Sequence, residues 1–344
     1  MVIGIIGASI SGLIAGRRLA QAGHDVTVIE KSRALGGRLA TVNMDGLNLD
    51  YGISHFEVNT NTFQGFVDTL LEEGSAKIWA EEFSLHDGTS FYDVDPNAYP
   101  ENHYVSTEGM QSIAKGLSRW VDVKSKEKAG GLTYIGPDRS KKRSWMINLT
   151  DISVFECDAV IIATPAVEAY GVIQTAQNKT ATRRIIRHID EVHYDGCFSM
   201  VATYDHEVPE WTGIECENSP LGWIGNESSK QENAEHAGIL IRSTHDFFKK
   251  HAQADDELIK ESLLEEASNV VGPWVLQAKS TYLHRWKYFK ARNPIDEYFM
   301  ELEMEDAPLA LVGDYLGGNT LENAYISGYN LAEYWIKKYS TVTA

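Results

Sequence analysis

The sequence predicts an α/β fold of two interleaved domains, one on a parallel sheet wound by βαβ crossovers, the other an α+β domain on an antiparallel sheet. Three observations carry this. An apolar run, a glycine turn, a small-residue helix and a second apolar run open the chain; an apolar strand ending in Gly313-Asp314 leads into a helix near its end; the middle third alternates apolar and polar residues.

The opening unit is the most specific. Val2-Ile3-Gly4-Ile5-Ile6 reads as a buried strand, Gly7-Ala8-Ser9-Ile10-Ser11-Gly12 as the turn opening a helix, and Asp25-Val26-Thr27-Val28-Ile29-Glu30 as the returning strand. This is the Rossmann-like unit that holds the ADP half of a dinucleotide, FAD or NAD. Gly7 permits the tight turn, and Gly12 with Gly16 lets the helix lie close on the first strand. The free N–H groups at Ile10 and Ser11 then face a pyrophosphate, where the helix dipole favours negative charge. Glu30, followed by Lys31, ends the second strand where a carboxylate accepts hydrogen bonds from a ribose diol. Ser9 stands where the fingerprint has its middle glycine; its Cβ narrows the approach to the pyrophosphate, and its hydroxyl is a candidate phosphate donor. An ordinary glycine-rich βα turn is the alternative, and the strand, helix and acid in register weigh against it.

Leu35-Gly36-Gly37-Arg38-Leu39-Ala40-Thr41 resembles the second FAD fingerprint of the flavin amine oxidase superfamily. Two glycines let the chain pass close to a cofactor, and the Arg38 guanidinium matches pyrophosphate oxygens. Leu309-Ala310-Leu311-Val312-Gly313-Asp314 is a third signal, with a helix beginning near Thr320-Leu321-Glu322 after Gly317-Gly318-Asn319. In that superfamily the Asp contacts the ribityl or pyrophosphate region and the helix N-terminus points at the flavin N1/C2=O edge, so the resemblance implies non-covalent FAD.

The elements between follow in order. Residues 1–57 close the first nucleotide segment with Leu49-Asp50-Tyr51-Gly52-Ile53-Ser54-His55-Phe56. A helix is predicted over Phe63 to Glu73, then loop-rich sequence with Pro96 and Pro100. Gly109-Met110 opens a helix with Ile113, Leu117 and Trp120 on one face. A strand around Val121 to Val123, a charged turn at Gly130-Gly131, and strands through Tyr134, Trp145 to Leu149 and Asp158 to Ala163 suggest a β-meander, with Thr164 beyond it near the cofactor. Strands at Cys197 to Tyr204, Gly222 to Ile224, Gly238 to Thr244 and Lys279 to Tyr288, with a helix over Asp255 to Val271, suggest a sheet floor for a substrate. The expected division is 1–57, 105–165 and 289–344 for the FAD-binding domain, against 58–104 and 166–288 for the substrate domain.

Composition bounds the function. With 344 residues, 43% of them hydrophobic, the chain can bury two cores; 31 basic against 49 acidic residues, a net charge of −18, disfavour nucleic acid and anionic membranes. Arg17-Arg18 cut the apolar start short of a membrane span. Cys157, Cys197 and Cys216 lack Cys-x-x-Cys spacing, which suggests a reducing, cytoplasmic setting with no disulfide framework and no metal site. The acidic runs Glu72-Glu73, Asp255 to Glu257 and Glu301 to Asp306 read as solvated faces.

Within the superfamily the whole chain resembles the renalase family. The resemblance lies in the Gly-Gly-Arg run, Asp50-Tyr51-Gly52, Glu108-Gly109-Met110, Cys157 to Pro165, His284-Arg285-Trp286-Lys287-Tyr288 and the terminal Gly-Asp helix. It implies hydride transfer from 2- or 6-dihydro isomers of NAD(P)H to flavin N5 with reoxidation by molecular oxygen, in a monomer or homodimer. Such chemistry needs no general base, so the site is expected to hold positioning residues. The candidates are Ser54 and His55 beside the flavin, Trp286, Lys287 and Tyr288 from the sheet, and Arg242, where relatives tend to carry histidine; His245 is a weaker one. Each has a plainer alternative: core packing for Trp286 and Tyr288, loop support for His55, a surface position for Lys287, a turn for His245. Two other functions stay open: an amine or polyamine oxidase or related desaturase, for which Tyr315 beside Asp314 could supply an aromatic cage, and a non-catalytic binding protein on the same fold.

Overall fold

A computed structural model describes residues 1–92, 100–136, 143–176, 179–302 and 307–339. Pro96 and the acidic run beyond Leu302 lie outside the described residues. The chain divides into two compact units, Met1–Leu39 with Ile113–Tyr194 and Ala291–Ala344, and Ala40–Ser112 with Asp195–Lys290. Both are discontinuous, and the crossover points differ from the expected ones for identifiable reasons. Leu47 and Leu49 bury against Trp79, Val201, Trp223 and Leu240, which takes the hairpin at 41–50 into the second unit. Ala169, Ile173, Ile185 and Ile189 bury with Ile147, Val160 and Leu309, which takes the helices Ala166–Ile173 and Lys179–Asp190 into the first.

The first unit is built on six strands in the order Met300–Leu302, Leu309–Leu311, Ala159–Ile162, Val2–Ile6, Asp25–Glu30, Asp122–Ser125. All pair in parallel except the edge strand Met300–Leu302. Val2–Ile6 and Ala159–Ile162 read as unbroken apolar runs because both faces of a parallel sheet are covered. The direction of winding reverses between these two strands, the place where open α/β sheets bind ligands at their carboxyl ends. Helix Ile10–Gln21 follows the first strand, and helix Leu321–Tyr339 packs on it. The contact is close: a Cβ on Gly328 would lie 2.1 Å from the Ser11 carbonyl oxygen.

The meander is Ala129–Tyr134, Trp145–Leu149 and Val154–Cys157, antiparallel throughout. Gly130-Gly131 is not its turn: the pair sits inside the first of these strands at a register shift, and the turn lies earlier, where Lys126 takes φ 64°. Trp120 also departs from the expectation. The helix ends at Ser118, and Trp120 is 53% exposed while Ile113 and Leu117 are buried.

The second unit is built on a seven-stranded sheet in the order Ser280–Ala291, Tyr194–Thr203, Gly238–Ser243, Leu221–Asn226, Gly213–Cys216, Ser84–His86, Phe91–Tyr92. The expected antiparallel sheet is mixed: Gly213–Cys216 pairs in parallel with Ser84–His86. Helix Asp256–Val271, capped by the Asp255 carboxylate on the Leu258 amide, covers one face through Ile259, Leu263 and Ala267. The hairpin of Thr41–Met44 and Leu47–Asp50 meets the sheet at Gly238–Ser243. The three cysteines are free and buried, and burial pushes the Cys197 thiol up to about 11. Among the described residues no helix is long and apolar enough to cross a membrane.

Candidate functional site

In the first unit the glycine turn is fixed by close approach. Gly7 takes φ 101°, and a Cβ there would lie 2.8 Å from the Ala163 carbonyl oxygen; one on Gly12 would lie 2.4 Å from that of Gly7. The Ile10 and Ser11 amides open the helix with no intrahelical acceptor. Ser9 caps this helix, accepting from the Gly12 amide, and its hydroxyl donates to the Ala163 carbonyl at 2.8 Å and meets Ser11 Oγ at 2.9 Å. The hydroxyl expected to reach a phosphate is thus engaged in tying the turn to the neighbouring strand. Thr164 lies beside the turn, its Oγ1 buried with no hydrogen-bond partner.

The carboxylate of Glu30 is buried at the same turn, accepting from the Ala8 amide at 2.9 Å and the Ser32 amide at 2.7 Å. Two of its four lone-pair directions remain for a diol. Lys31 points elsewhere, to Glu168 at 2.6 Å on the surface. The Gly36 amide donates to the Ala8 carbonyl at 2.8 Å, so the Gly-Gly-Arg run lies directly on the phosphate turn. Gly36 and Gly37 take φ 104° and 58°, and the space where a Gly37 side chain would go is open.

Arg38 and Asp314, expected to contact the cofactor separately, meet each other. Two parallel N–H···O bonds of 2.6 Å join them, with the side chains 19% and 7% exposed. Burial works against the Arg38 charge, and Asp314 outweighs it, so the guanidinium stays fully charged. At the last helix Thr320 is exposed, its hydroxyl donating to Asn323 Oδ1 at 2.7 Å and accepting from the Asn323 amide. It therefore serves as a cap, while Leu321 and Glu322 are buried in the first turn. Tyr315 is fully buried in the core with a hydroxyl lacking a hydrogen bond, which removes it from the aromatic-cage role the sequence left open.

Glycines that admit close approach, unpaired helix amides, a charged guanidinium and a carboxylate at the second strand's end together fit a dinucleotide pyrophosphate and its ribose.

The second unit carries a separate cluster. Lys230 Nζ, almost wholly buried, donates to Glu227 Oε2 at 2.7 Å, Asp50 Oδ2 at 3.1 Å and the Ser54 carbonyl at 2.7 Å. Asp50 also accepts from the Met110 amide at 2.8 Å and Thr41 Oγ1 at 2.6 Å, so the Asp50-Tyr51-Gly52 and Glu108-Gly109-Met110 stretches are held together. Burial, reinforced by Asp50, pushes the Glu227 carboxyl up to about 7 against the pull of Lys230. Arg242 donates to the Gly52 carbonyl and lies 4.6 Å over the Phe289 ring; it forms no ion pair among the described residues, and its Nε is buried without a partner. Burial pulls this guanidinium down from its ordinary value.

Trp286 Nε1 donates to the Tyr51 carbonyl at 2.9 Å, and the two rings stack at 5.8 Å and 20°. Tyr282 and His284 extend this wall, with His284 4.1 Å from Trp286. Tyr288 keeps the same strand parity and is half-buried; Lys287 between them is exposed. His245 opens a short helix and accepts from the Gly196 amide at 3.0 Å. His55 lies against Phe83, Trp223 and Trp79, with Nδ1 3.1 Å from Ser54 Oγ. Burial holds its pKa well below the ordinary value, so the ring is neutral. Sequence reasoning marked Tyr51 and His284 only as part of the resemblance, without a place in the site, and missed Tyr282, Glu227 and Lys230. The parity of 282, 284 and 286 could have found Tyr282 and His284; nothing local marks Glu227 or Lys230.

Residues 5–70 match the model of the NAD(P)-binding Rossmann-like domain, and residues 69–335 that of the flavin containing amine oxidoreductases. The chain belongs to the flavin-containing amine oxidoreductase family. FAD is accordingly the dinucleotide that the first unit's cradle fits. A 4,4'-diapophytoene desaturase of Staphylococcus haemolyticus is 36% identical over 78 residues, a match spanning 20% of this chain and 16% of the desaturase. Its counterpart in Staphylococcus aureus strain Newman is 44% identical over 52 residues, 15% of this chain and 10% of that one. Among solved structures, putrescine oxidase bound to putrescine superposes with a TM-score of 0.72 at 12% identity over 98% of this chain and 99% of its own. Cyclohexylamine oxidase from Brevibacterium oxydans IH-35A gives 0.73 at 9% identity over 98% and 99%. At such identities the likeness is one of fold alone.

Proposed function

We propose that this family member is a renalase-like oxidase that oxidises the 2- and 6-dihydro isomers of NAD(P)H in the cytoplasm, with molecular oxygen as final acceptor. When bound, FAD supplies the acceptor for the hydride leaving the substrate. The observation that carries the reading is Arg242, a guanidinium with no carboxylate paired to it, in the same unit as an aromatic wall of Tyr51, Tyr282, His284 and Trp286. A cation beside flat rings favours a planar, anionic substrate and repels a protonated amine. The Trp286 N–H held by the Tyr51 carbonyl fixes the ring plane before substrate arrives, which lowers the ordering cost of binding. Neutral His55 and Ser54 act as positioning groups, and Arg38 with Asp314 holds the cofactor's pyrophosphate end.

The stacked Tyr51–Trp286 pair favours a second reading, an amine oxidase or desaturase, because parallel rings also sort apolar and amine substrates. An anaerobic absorbance titration separates the two. The dihydro isomers should bleach the oxidised flavin band rapidly while putrescine and cyclohexylamine leave it intact. Arg242→Gln should weaken the response to the isomers at least tenfold with the resting band unchanged. A band that persists with the isomers and falls with an amine overturns the first reading and supports the second.

A further inference from the structure

We infer that His55, Glu57 and His103 of the second unit form a site for a borderline transition-metal ion of the Zn2+ class. The three side chains each direct one ligand atom into a common space, all within 4.8 Å of one another. The Glu57–His103 edge, Oε1 to Nδ1, is 3.3 Å. Metal–ligand bonds of about 2.0 to 2.1 Å at tetrahedral angles separate neighbouring donors by roughly 3.3 Å, so this edge already has the length a zinc ion imposes. His55 supplies the third corner, its ring held against Phe83, Trp223 and Trp79.

Three independent features support a metal over a simple ion pair. His103 Nδ1 is buried and makes no hydrogen bond, although a carboxylate oxygen lies 3.3 Å away: the geometry suits two donors turned to a third body. His55 Nδ1 is 3.1 Å from Ser54 Oγ, and an imidazole that donates from one nitrogen to such a partner presents the other as a ligand. Phe83 lies 4.3 Å from the His103 ring and 4.8 Å from that of His55, enclosing the imidazoles in a low-dielectric wall. Glu57, 41% exposed, leaves a way in from solvent. Two histidines and one carboxylate leave a fourth position open, the pattern of zinc sites that keep a water. His55 and Glu57 come from one extended segment and His103 from the strand His103–Ser106, already joined by the paired amides and carbonyls of Phe56 and Tyr104. An ion would clamp that seam at a second point.

The test is equilibrium competition for Zn2+ between a chromophoric chelator and the tag-free, FAD-loaded protein at neutral pH, beside Glu57→Ala and His103→Ala. The inference expects one equivalent of zinc on the wild-type protein and dissociation constants at least about tenfold weaker in each variant, with the flavin band and melting curve kept. Cobalt(II) should give absorption bands to the red of the flavin envelope in the wild-type protein alone. Should His103→Ala fail to fold, Glu57→Ala decides, since the exposed end of Glu57 contributes little packing. No zinc on the wild-type protein, or equal binding to it and Glu57→Ala, overturns the inference.

Discussion

Arg38 and Asp314 show what a single residue's context adds to its identity. Each was marked by its own motif, yet the 276 positions between them hide that they form a fork, because pairing at that separation leaves no local trace. Asp314→Asn leaves a nearly buried guanidinium without its counter-charge. We expect a loss of about 3 kcal/mol of stability and an FAD dissociation constant at least tenfold weaker, measured by melting and by flavin fluorescence on release. An unchanged FAD affinity would mean that Arg38 does not need the carboxylate to hold its place. Glu227 was invisible for the same reason, and it sets a pH dependence. Burial raises its folded pKa from the ordinary 4.5 to about 7, so the folded state binds this proton more tightly than the unfolded chain does. The stability it contributes is complete below pH 4.5 and is lost as pH rises through about 7. Melting temperatures should therefore decline across that window more steeply in the wild-type protein than in Glu227→Gln, and parallel profiles would refute the assignment.

At the scale of elements, long periodic segments were legible and short ones were not. The helices Asn61–Glu72 and Asp256–Val271 and the strands Tyr194–Thr203, Gly238–Ser243 and Ser280–Ala291 carry enough repeats to declare their period, and Val2–Ile6 declares itself as an apolar run before a glycine turn. Ser84–His86 and Phe91–Tyr92 are two or three residues long, and the hairpin 41–50 acquires its place from the core it joins. Glycines inside helices divide in a similar way. Gly65 has nothing within 4 Å of its would-be Cβ, so Gly65→Ala should add about 0.5–1 kcal/mol through helix propensity alone. At Gly328 the same gain meets the Ser11 carbonyl oxygen at 2.1 Å and Ile14 at 2.7 Å. Here overpacking, typically 1–3 kcal/mol, outweighs propensity, and Gly328→Ala should lower the melting temperature. A rise in both variants would show that the helices Ile10–Gln21 and Leu321–Tyr339 separate at little cost.

For the whole molecule, the motifs at both ends announced the family, and the interleaving of two units followed from their separation. The points where the chain crosses could not be read, because they depend on which core claims residues 40–57 and 166–194. The site residues divide likewise: the glycine motifs name the cradle, whereas the aromatic wall and Lys230 exist only once distant segments meet. The seat of helix Leu321–Tyr339 against Ile10–Gln21 also bears on biosynthesis. A ribosome adding about 5–20 residues per second makes the phosphate turn early and its covering helix roughly 15–60 s later. During that interval the nascent chain carries the apolar helix Ile10–Gln21 without the helix that packs on it.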